Sequence, residues 1–299
     1  MKRPVLMPHA LMPHALLILL VSFFSGLINA QSINDHSQRI VSADGSLTEI
    51  IYALKQESRL VGVDTTSGYP ASARALPQIG YKRNISAEGV LSLAPEVLIA
   101  TEDSGPDKIL RQIEAAGVKL VRYSATPSLD AVREKVLGVA QLLNKTPEGE
   151  RLWQTIESDV SRVRQHISKI DEKVKVLFIL SMASGSPVVS GTDTHAAKII
   201  GLAGGVNAAK GFSGYKPMPL EAVIAAQPDI LLMMDRGGDH GASQSILQGH
   251  GFEMTPAGKN HRLVTMDGML MLGFGPRIAQ AISELNHAFY PNHKEPLSP

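Results

Sequence analysis

The chain has 299 residues, of which 44% are hydrophobic and 19% are charged. This is enough apolar material for one large domain or two domains of ordinary size, and it excludes a chain that is disordered throughout. The formal net charge is +1, so the composition gives no sign of a nucleic-acid-binding surface. The sequence has no cysteine, so we expect neither a disulfide nor a lipid on an N-terminal cysteine.

Residues 1–30 are predicted to be a cleaved secretory signal peptide. Lys2 and Arg3 give a basic start, residues 15–24 are an apolar run that is short for a bilayer span, and Ala30 is the small residue expected at a cleavage site. Removing the two basic residues from 29 leaves 27, against 28 acidic residues, so the mature chain is nearly neutral. The chain is therefore expected in a bacterial periplasm.

Residues 37–145 are predicted to form a first α/β lobe, because strand patterns alternate with helical patterns along them. The helix that starts near residue 108 is expected to end at Gly117, which serves as its C-cap. The predicted strands are 39–41, 59–66, 94–101 and a segment after Gly117, and the predicted helices are 47–54, 87–93, 108–116 and 129–144.

Residues 146–171 are predicted to form one bridging helix of about six turns. Thr146 is the expected N-cap and Pro147 the expected first helical residue. Strand–helix alternation then restarts, so residues 172–291 are predicted to form a second α/β lobe. The expected fold class is α/β, with two lobes that each have a mostly parallel central sheet flanked by helices, and with a ligand cleft between the lobes.

A related segment occurs once in each predicted lobe. The first reads GYKRNISAEGVLSLAPEVLIA over residues 80–100, and the second reads GYKPMPLEAVIAAQPDILLMM over residues 214–234. Each has Gly-Tyr-Lys, a Glu six or seven residues after the Tyr, an apolar run, a Pro followed by an acidic residue, and an aliphatic block. We expect both Gly-Tyr-Lys segments to be loops that face the cleft.

Tyr81 and Arg83 are the first candidate site residues. In an extended loop, residues two apart point the same way, so these side chains are predicted to share a face. A nearby guanidinium and a ferric iron both favour the phenolate, which is a hard oxygen ligand for Fe(III). Packing of the Tyr ring at a turn remains the alternative. Tyr215 and Lys216 form the matching pair, which could stack on a flat ligand and hold a carboxylate.

Taken together, these segments resemble a periplasmic haem-binding protein of a bacterial haem ABC importer, within the class that also carries siderophores and cobalamin. The resemblance runs from about Arg39 to Tyr290 and includes RIVSADGSLTEIIYAL, the two repeated segments and LGFGPR. It implies that Tyr81 is the axial iron ligand and that Arg83 hydrogen-bonds the phenolate oxygen. It also implies haem as transported ligand, an inner-membrane ABC permease dimer with its ATPase as partner, and an outer-membrane haem receptor upstream.

Three further residues complete the expected haem-binding set. Lys82 lies between the two principal residues, and Arg236 could pair with a haem propionate. Some members of the resembled family supply a His ligand just after the first strand of the second lobe, where this chain has Met182. Met182 is either a second iron ligand, a wall of the cleft or a core residue.

The two Glu residues of the repeats, Glu88 and Glu221, come at the start of predicted helices and should point away from the cleft. The resemblance implies that they dock onto basic pockets of the permease. First-turn stabilisation of the helices is the alternative for either Glu alone.

Two other functions are kept open. The first is a binding protein for an iron–siderophore or a corrinoid on the same fold. The second is a zinc-binding protein or metal-dependent enzyme that uses His240 and His250, although their spacing is not that of a compact metal site. The sequence has no nucleophile elbow and no phosphate-binding loop, so we expect a binding protein rather than an enzyme.

Overall fold

The architecture is described from a computed structural model over Met1 and residues 38–183, 186–235 and 245–292. The predicted signal peptide therefore lies, apart from Met1, outside the described residues. None of the described helices is long and apolar enough to cross a membrane.

The first sheet has four parallel strands in the order β2-β1-β5-β6. Every residue of β1 and of β5 is buried, as expected for central parallel strands that helices cover on both faces. The strands are β1 Ile40–Ala43, β2 Leu60–Val63, β5 Val97–Thr101 and β6 Lys119–Tyr123; the helices are α1 Gly45–Ala53, α2 Ala87–Leu91, α3 Asp107–Ala115 and α4 Leu129–Leu142. Gly117 follows α3 with a φ of +93°, the left-handed conformation that a glycine accepts after a helix end.

A two-stranded antiparallel hairpin stands apart from this sheet. Its strands are β3 Gly80–Tyr81 and β4 Asn84–Ile85, and residues 82 and 83 form the turn. The first Gly-Tyr-Lys segment is thus a hairpin rather than the predicted loop. Helix α2 follows directly, with Ser86 as its N-cap accepting a hydrogen bond from the Gly89 N–H.

A long helix, α5 (Thr146–Ile167), connects the first sheet to the second in sequence. The prediction that Thr146 caps it was wrong: the N-cap position is Lys145, without a side-chain cap, and Thr146 is already helical. The helix packs against α4 and, on its other side, against the C-terminal helix of the chain. A Cβ at Gly149 would lie 2.3 Å from the Cβ of Ala140, so glycine is what allows α5 to approach α4 this closely.

The second sheet has six strands in the order β10-β8-β7-β11-β12, with β9 pairing β7. The pairings β9–β7, β7–β11 and β11–β12 are parallel, and the pairings β7–β8 and β8–β10 are antiparallel. The sheet is therefore mostly parallel, as predicted, and only β8 runs against the other strands. The strands are β7 Lys175–Ala183, β8 Ser186–Ser190, β9 Val206–Asn207, β10 Tyr215–Pro217, β11 Ile230–Asp235 and β12 Leu263–Asp267. The helices are α6 His195–Leu202, α7 Leu220–Ala226, α8 Pro256–Lys259, α9 Gly268–Leu272 and α10 Ile278–Phe289.

The second Gly-Tyr-Lys segment is the edge strand β10 rather than a loop. Pro217 pairs with Val188 in this strand, and a proline is tolerated there because an edge strand has no neighbour on one side. The repeated segments therefore share a short strand followed by a short helix, but the strands pair differently.

The largest hydrophobic core joins both halves of the chain. It includes Ile50 and Val136 beside the first sheet, Val160 of α5, and Phe178 and Ile282 beside the second sheet. Two smaller cores fill the remaining face of each sheet. The lobe boundaries given above remain a prediction, since α5 and α10 belong to a core that the two halves share.

Candidate functional site

The side chains of Tyr81 and Arg83 meet across the hairpin turn. The Arg83 Nη1 donates a hydrogen bond to the Tyr81 Oη at 2.9 Å, and the guanidinium carbon lies 6.0 Å from the ring centroid. Tyr81 is 44% exposed, so its hydroxyl remains available to a ligand. The predicted shared face is present, but it arises from the turn between β3 and β4 and not from an extended segment.

Lys82 lies between them and points into a cluster of carboxylates. Its Nζ is 2.7 Å from an Asp44 carboxylate oxygen and 3.0 Å from one of Asp103, and Arg83 also pairs with Asp103. Thr101 donates a hydrogen bond to Asp103 at 2.8 Å. Lys82 lines the cavity described below, yet its charge is already compensated, so its role here is to hold the hairpin.

The charges of this cluster stabilise one another. Burial alone would raise the pKa of Asp44 and of Asp103, but the neighbouring cations and hydrogen-bond donors, with Lys82 foremost, together outweigh it and hold both carboxyl pKa values below their usual range. Burial alone would lower the pKa of Lys82, but the two carboxylates raise it. Asp44 is fixed further by the start of α1, where it is the N-cap and accepts from the Ser46 N–H at 2.8 Å.

A cavity of about 1380 Å³ opens beside Tyr81. It is lined from the first sheet's side and from the second, which agrees with the expected cleft between two lobes. Its polar lining residues include Asp44, Thr66, Tyr69, Arg74, Tyr81, Lys82, Arg83, Lys135, His195, Tyr215, Asp235, Asp267 and Arg277, and its apolar ones include Leu180, Met234, Met269 and Leu272. A lining that combines apolar side chains with cations suits an apolar ligand that carries negative charge.

Tyr215 faces the cavity from β10. Its ring centroid is 6.3 Å from that of Phe178, and its hydroxyl is hydrogen-bonded to the Thr194 side chain and the Ala196 backbone. Burial raises the pKa of Tyr215, so it stays a neutral phenol and offers its ring. Lys216 points elsewhere: its Nζ lies 5.6 Å from the Phe212 ring centroid, and it is not among the cavity-lining residues described.

Met182 is directed away from the cavity. It packs against the smaller core on one face of the second sheet, whereas Leu180, two residues earlier, lines the cavity. The pairing of β7 with β8 shifts between Ile179 and Ser181, which changes the side-chain alternation at this end of the strand. Of the three placements considered for Met182, the structure agrees with the core residue.

The remaining predicted metal and anion residues contribute little here. Arg236 and His240 lie outside the described residues. His250 is exposed and follows a 3-10 turn. Within the described ranges, no three His, Cys, Asp or Glu side chains lie close enough together to hold a metal ion, so the zinc alternative has no site in this part of the chain.

Several cavity residues were not singled out from the sequence, and four of them are Arg277, Tyr69, Arg74 and His195. Arg277 forms a two-point ion pair with Glu49 of α1, at 2.9 and 2.6 Å, and its guanidinium lies 3.7 Å from the ring centroid of Tyr69. Arg74 donates to the Gly68 carbonyl at 3.0 Å and pairs with no carboxylate among the described residues. His195, the fourth, begins α6. Of these four residues, only Arg277 lies in a segment that carried the family resemblance, LGFGPR.

Lys135 is a buried cation at the base of the cavity. Its Nζ donates to the Ser46 Oγ at 3.0 Å and to the Phe274 carbonyl at 2.8 Å. Burial lowers the pKa of Lys135, although Asp44 partly compensates. Burial likewise lowers the pKa of His195, and the nearby cations Lys82, Lys135 and Arg83 lower it further.

Glu88 and Glu221 occupy equivalent places. Each is the second residue of a short helix, α2 or α7, and each is exposed. Neither lines the cavity, in keeping with the prediction that they point away from it. Their docking role stays a prediction.

The model of the periplasmic binding protein family matches residues 40–270, which is more than half of the chain. The chain therefore belongs to the periplasmic binding protein family. Its proteins are substrate-binding transport proteins, which confirms the expectation that this is not an enzyme, and their two-lobed fold confirms the predicted fold class.

Three similar proteins are named for the binding of haem or of vitamin B12. The apo form of the periplasmic heme-binding protein RhuT from Roseiflexus sp. RS-1 is 41% identical, with a TM-score of 0.80 over 85% of this chain and 98% of that chain. A periplasmic heme binding protein from Pseudomonas aeruginosa is 37% identical, with a TM-score of 0.80 over 87% and 95%. A vitamin B12-binding protein from Vibrio campbellii is 25% identical over 204 residues, 68% of this chain and 73% of that protein.

Proposed function

We propose that this protein binds haem in the cavity through an iron bond to the Tyr81 oxygen. The observation that carries the proposal is the exposed Tyr81 hydroxyl, which accepts a hydrogen bond from Arg83 at 2.9 Å beside a cavity of about 1380 Å³. A phenolate is a hard ligand suited to Fe(III), and the guanidinium stabilises its negative charge. The heme-binding names of the two similar structures support this ligand.

The cavity lining supports the same proposal for the rest of a porphyrin. The ring of Tyr215 and the apolar side chains of Leu180 and Met269 offer surfaces for a flat macrocycle. Arg74 and Arg277 offer guanidinium groups to its carboxylates, and Arg236 stays a predicted propionate partner outside the described residues. Lys82 supports the Tyr81 hairpin, and neither Met182 nor Lys216 is proposed to contact the ligand.

Delivery is the second half of the proposal. A signal peptide, removed after residue 30, would place the protein in the periplasm, where it would receive haem that an outer-membrane receptor system has admitted. Glu88 and Glu221 would then dock the loaded protein on an inner-membrane ABC permease dimer that its ATPase drives. Support comes from the family match and from the equivalent exposed positions of the two Glu residues.

A haemin titration tests the ligand. Wild-type protein should give a shifted Soret band with saturable stoichiometry, and Tyr81→Phe should lose the tyrosinate charge-transfer absorption and bind far more weakly, because only the oxygen is removed. Tyr52→Phe, a half-buried α1 change outside the cavity, is the matched control and should behave as wild type. An unchanged spectrum in Tyr81→Phe would contradict the assignment.

A corrinoid is the second candidate ligand, favoured by the likeness to a vitamin B12-binding protein. In that case Tyr81 would only stack on the ligand, and Tyr81→Phe would bind it normally. Parallel titrations with cyanocobalamin and with a ferric siderophore decide the matter, because a corrinoid or siderophore protein would bind one of these and give no Soret shift with haemin.

A further inference from the structure

His195 is held at a fixed place on the cavity wall. It is the first residue of α6, and the preceding Thr194 caps that helix by accepting a hydrogen bond from the Ala197 N–H at 3.0 Å. The imidazole meets the Phe274 ring edge-on, with centroids 5.4 Å apart and an interplanar angle of 78°. Helix start and aromatic contact together leave the ring little freedom, so its remaining edge faces the cavity.

The imidazole has no hydrogen bond or ion pair with any described residue. Its phenolic neighbour Tyr215 is in the opposite situation, because that hydroxyl is already bonded to Thr194 and Ala196. At this place on the cavity wall, an imidazole nitrogen of His195 is therefore available to coordinate a ligand, whereas the Tyr215 hydroxyl is already engaged.

The electrostatic surroundings favour the neutral imidazole. The charged groups that act on it include Lys82 and Arg83 of the Tyr81 hairpin, Lys135 of α4 and Asp103. Burial is the main reason that a positive charge on the ring is disfavoured, and three cations against one carboxylate add to it. These interactions place His195 within electrostatic reach of the hairpin that carries Tyr81. The two residues line the same cavity from different elements, His195 from α6 on the second sheet's side and Tyr81 from β3.

We propose that His195 is a second iron ligand, on the face of the macrocycle opposite Tyr81. This rests on the proposed haem binding and makes it more specific. A neutral imidazole nitrogen is a common ligand of haem iron. Tyr81 and His195 come from different sides of the cavity, so their binding to one iron would connect the two sides. Binding releases nothing but solvent and changes no oxidation state. The role that the sequence left open for Met182 falls to a residue on another element.

The test uses the full mature chain loaded with haemin. Wild type should show a six-coordinate, low-spin ferric spectrum, whereas His195→Ala should show a five-coordinate, high-spin tyrosinate spectrum by absorbance and electron paramagnetic resonance. Haemin should bind His195→Ala about tenfold more weakly than wild type, because the variant lacks the bond between the imidazole and the iron. Added imidazole should restore the low-spin signal in His195→Ala.

Two controls separate ligation from packing. Metal-free protoporphyrin IX should bind wild type and His195→Ala equally, because it has no iron to coordinate, and His195→Gln, which keeps a similar size, should lose the low-spin signal as the alanine variant does. His287→Ala, an exposed change on α10, should match wild type throughout. Melting curves of the ligand-free variants establish that each is folded.

The failure of this inference is distinguishable from failure of the proposed function. If haemin does not bind wild type, or if Tyr81→Phe is spectroscopically silent, the proposed function fails. If haemin binds through Tyr81 but wild type and His195→Ala have the same spin state, only the inference about His195 fails. A two-haem complex in which every iron is five-coordinate would overturn it as well.

Discussion

Arg74 is an exposed cavity residue whose guanidinium pairs with no described carboxylate, while Lys82, Arg83 and Arg277 are each engaged in ion pairs. A ligand carboxylate would therefore meet less competition at Arg74 than at its neighbours. Charge-assisted hydrogen bonds contribute more than neutral ones, but solvent screening reduces the effect at an exposed group.

We expect Arg74→Ala to weaken haemin binding by up to about tenfold, since one carboxylate loses its partner. Haemin dimethyl ester, which has no free carboxylate, should bind wild type and variant alike. Titration of both ligands against both proteins measures this, with Arg133→Ala, an exposed α4 change, as control. Equal weakening for acid and ester would show that Arg74 acts through packing.

At the scale of elements, the Tyr81 hairpin depends on Asp103, which follows β5. Asp103 binds both Lys82 and Arg83, and the backbone N–H of Gly105 donates to the Lys82 carbonyl at 2.9 Å. Short two-stranded hairpins are not stable by themselves. The loop after β5 therefore sets the position of the Tyr81 oxygen.

Asp103→Asn should lower the melting temperature and broaden the haemin spectrum, because the hairpin loses its ionic support. Burial opposes ionisation of Asp103, yet Lys82 and Arg83 hold its pKa below the ordinary 3.8. Its stabilising contribution is thus present above pH 3.8 and is lost as the pH falls further, through the folded-state pKa. The gap in melting temperature between wild type and variant should be constant near neutral pH and shrink in strong acid.

Asp171→Asn supplies the control for that experiment, since Asp171 is an exposed aspartate after α5. It should leave melting temperature and spectrum unchanged. A gap that widens in acid would contradict the depressed pKa of Asp103.

On the scale of the whole molecule, two polar contacts connect the parts of the chain on either side of α5. Arg277, just before α10, pairs with Glu49 of α1, and Lys135 of α4 donates to the Phe274 carbonyl. With the long α5 and the shared core, these contacts restrict relative motion. We therefore expect a small rotation on ligand binding, not a closure of tens of degrees.

Arg277→Met should destabilise the protein by about 1–3 kcal/mol, because the buried Glu49 loses its partner. Burial raises the pKa of Glu49 above its ordinary 4.5, despite Arg277, so the folded protein holds a proton there more readily than the unfolded chain. The deficit should therefore be larger at pH 8 than near pH 5. Urea unfolding at both values measures it.

The double variant Glu49→Gln with Arg277→Met removes both charges and should regain part of the lost stability, with little dependence on pH. Small-angle scattering of the same variant, with and without haemin, should show a larger ligand-induced change than wild type. Identical scattering changes would mean that the ion pair does not restrain the two sides.

The two exposed Glu residues, Glu88 and Glu221, are the proposed docking residues. The double change Glu88→Ala with Glu221→Ala should leave haemin titration as in wild type, because both residues lie outside the cavity lining. Haem uptake into vesicles that carry the permease should fall sharply, and the complex should become harder to isolate. Glu57→Ala with Glu253→Ala, at 3-10 turns, is the control pair, and normal uptake by the docking variant would leave the repeated segments as a trace of duplication.

The sequence by itself determined the alternation of elements, the long α5 and the pair Tyr81 and Arg83. Helical periodicity and turn chemistry depend on residues that are close in sequence, so both can be predicted from the sequence. The uninterrupted helical pattern corresponds to one helix of 22 residues. The spacing of two residues places the Tyr81 phenol beside the Arg83 guanidinium. The expected shared face survived even though a hairpin turn replaced the extended loop, because both geometries can direct these two side chains to one side.

Only the tertiary structure decided which distant side chains share the cavity. A register shift in β7 turned Met182 into the core and left Leu180 in the cavity, and no local pattern records a shift that depends on the partner strand. Arg74, His195 and Arg277 come from segments far apart in sequence, and the guanidinium of Arg277 is paired with Glu49, 228 residues away. Burial and pairing of this kind depend on how sheets and helices pack together, which the one-dimensional pattern does not contain.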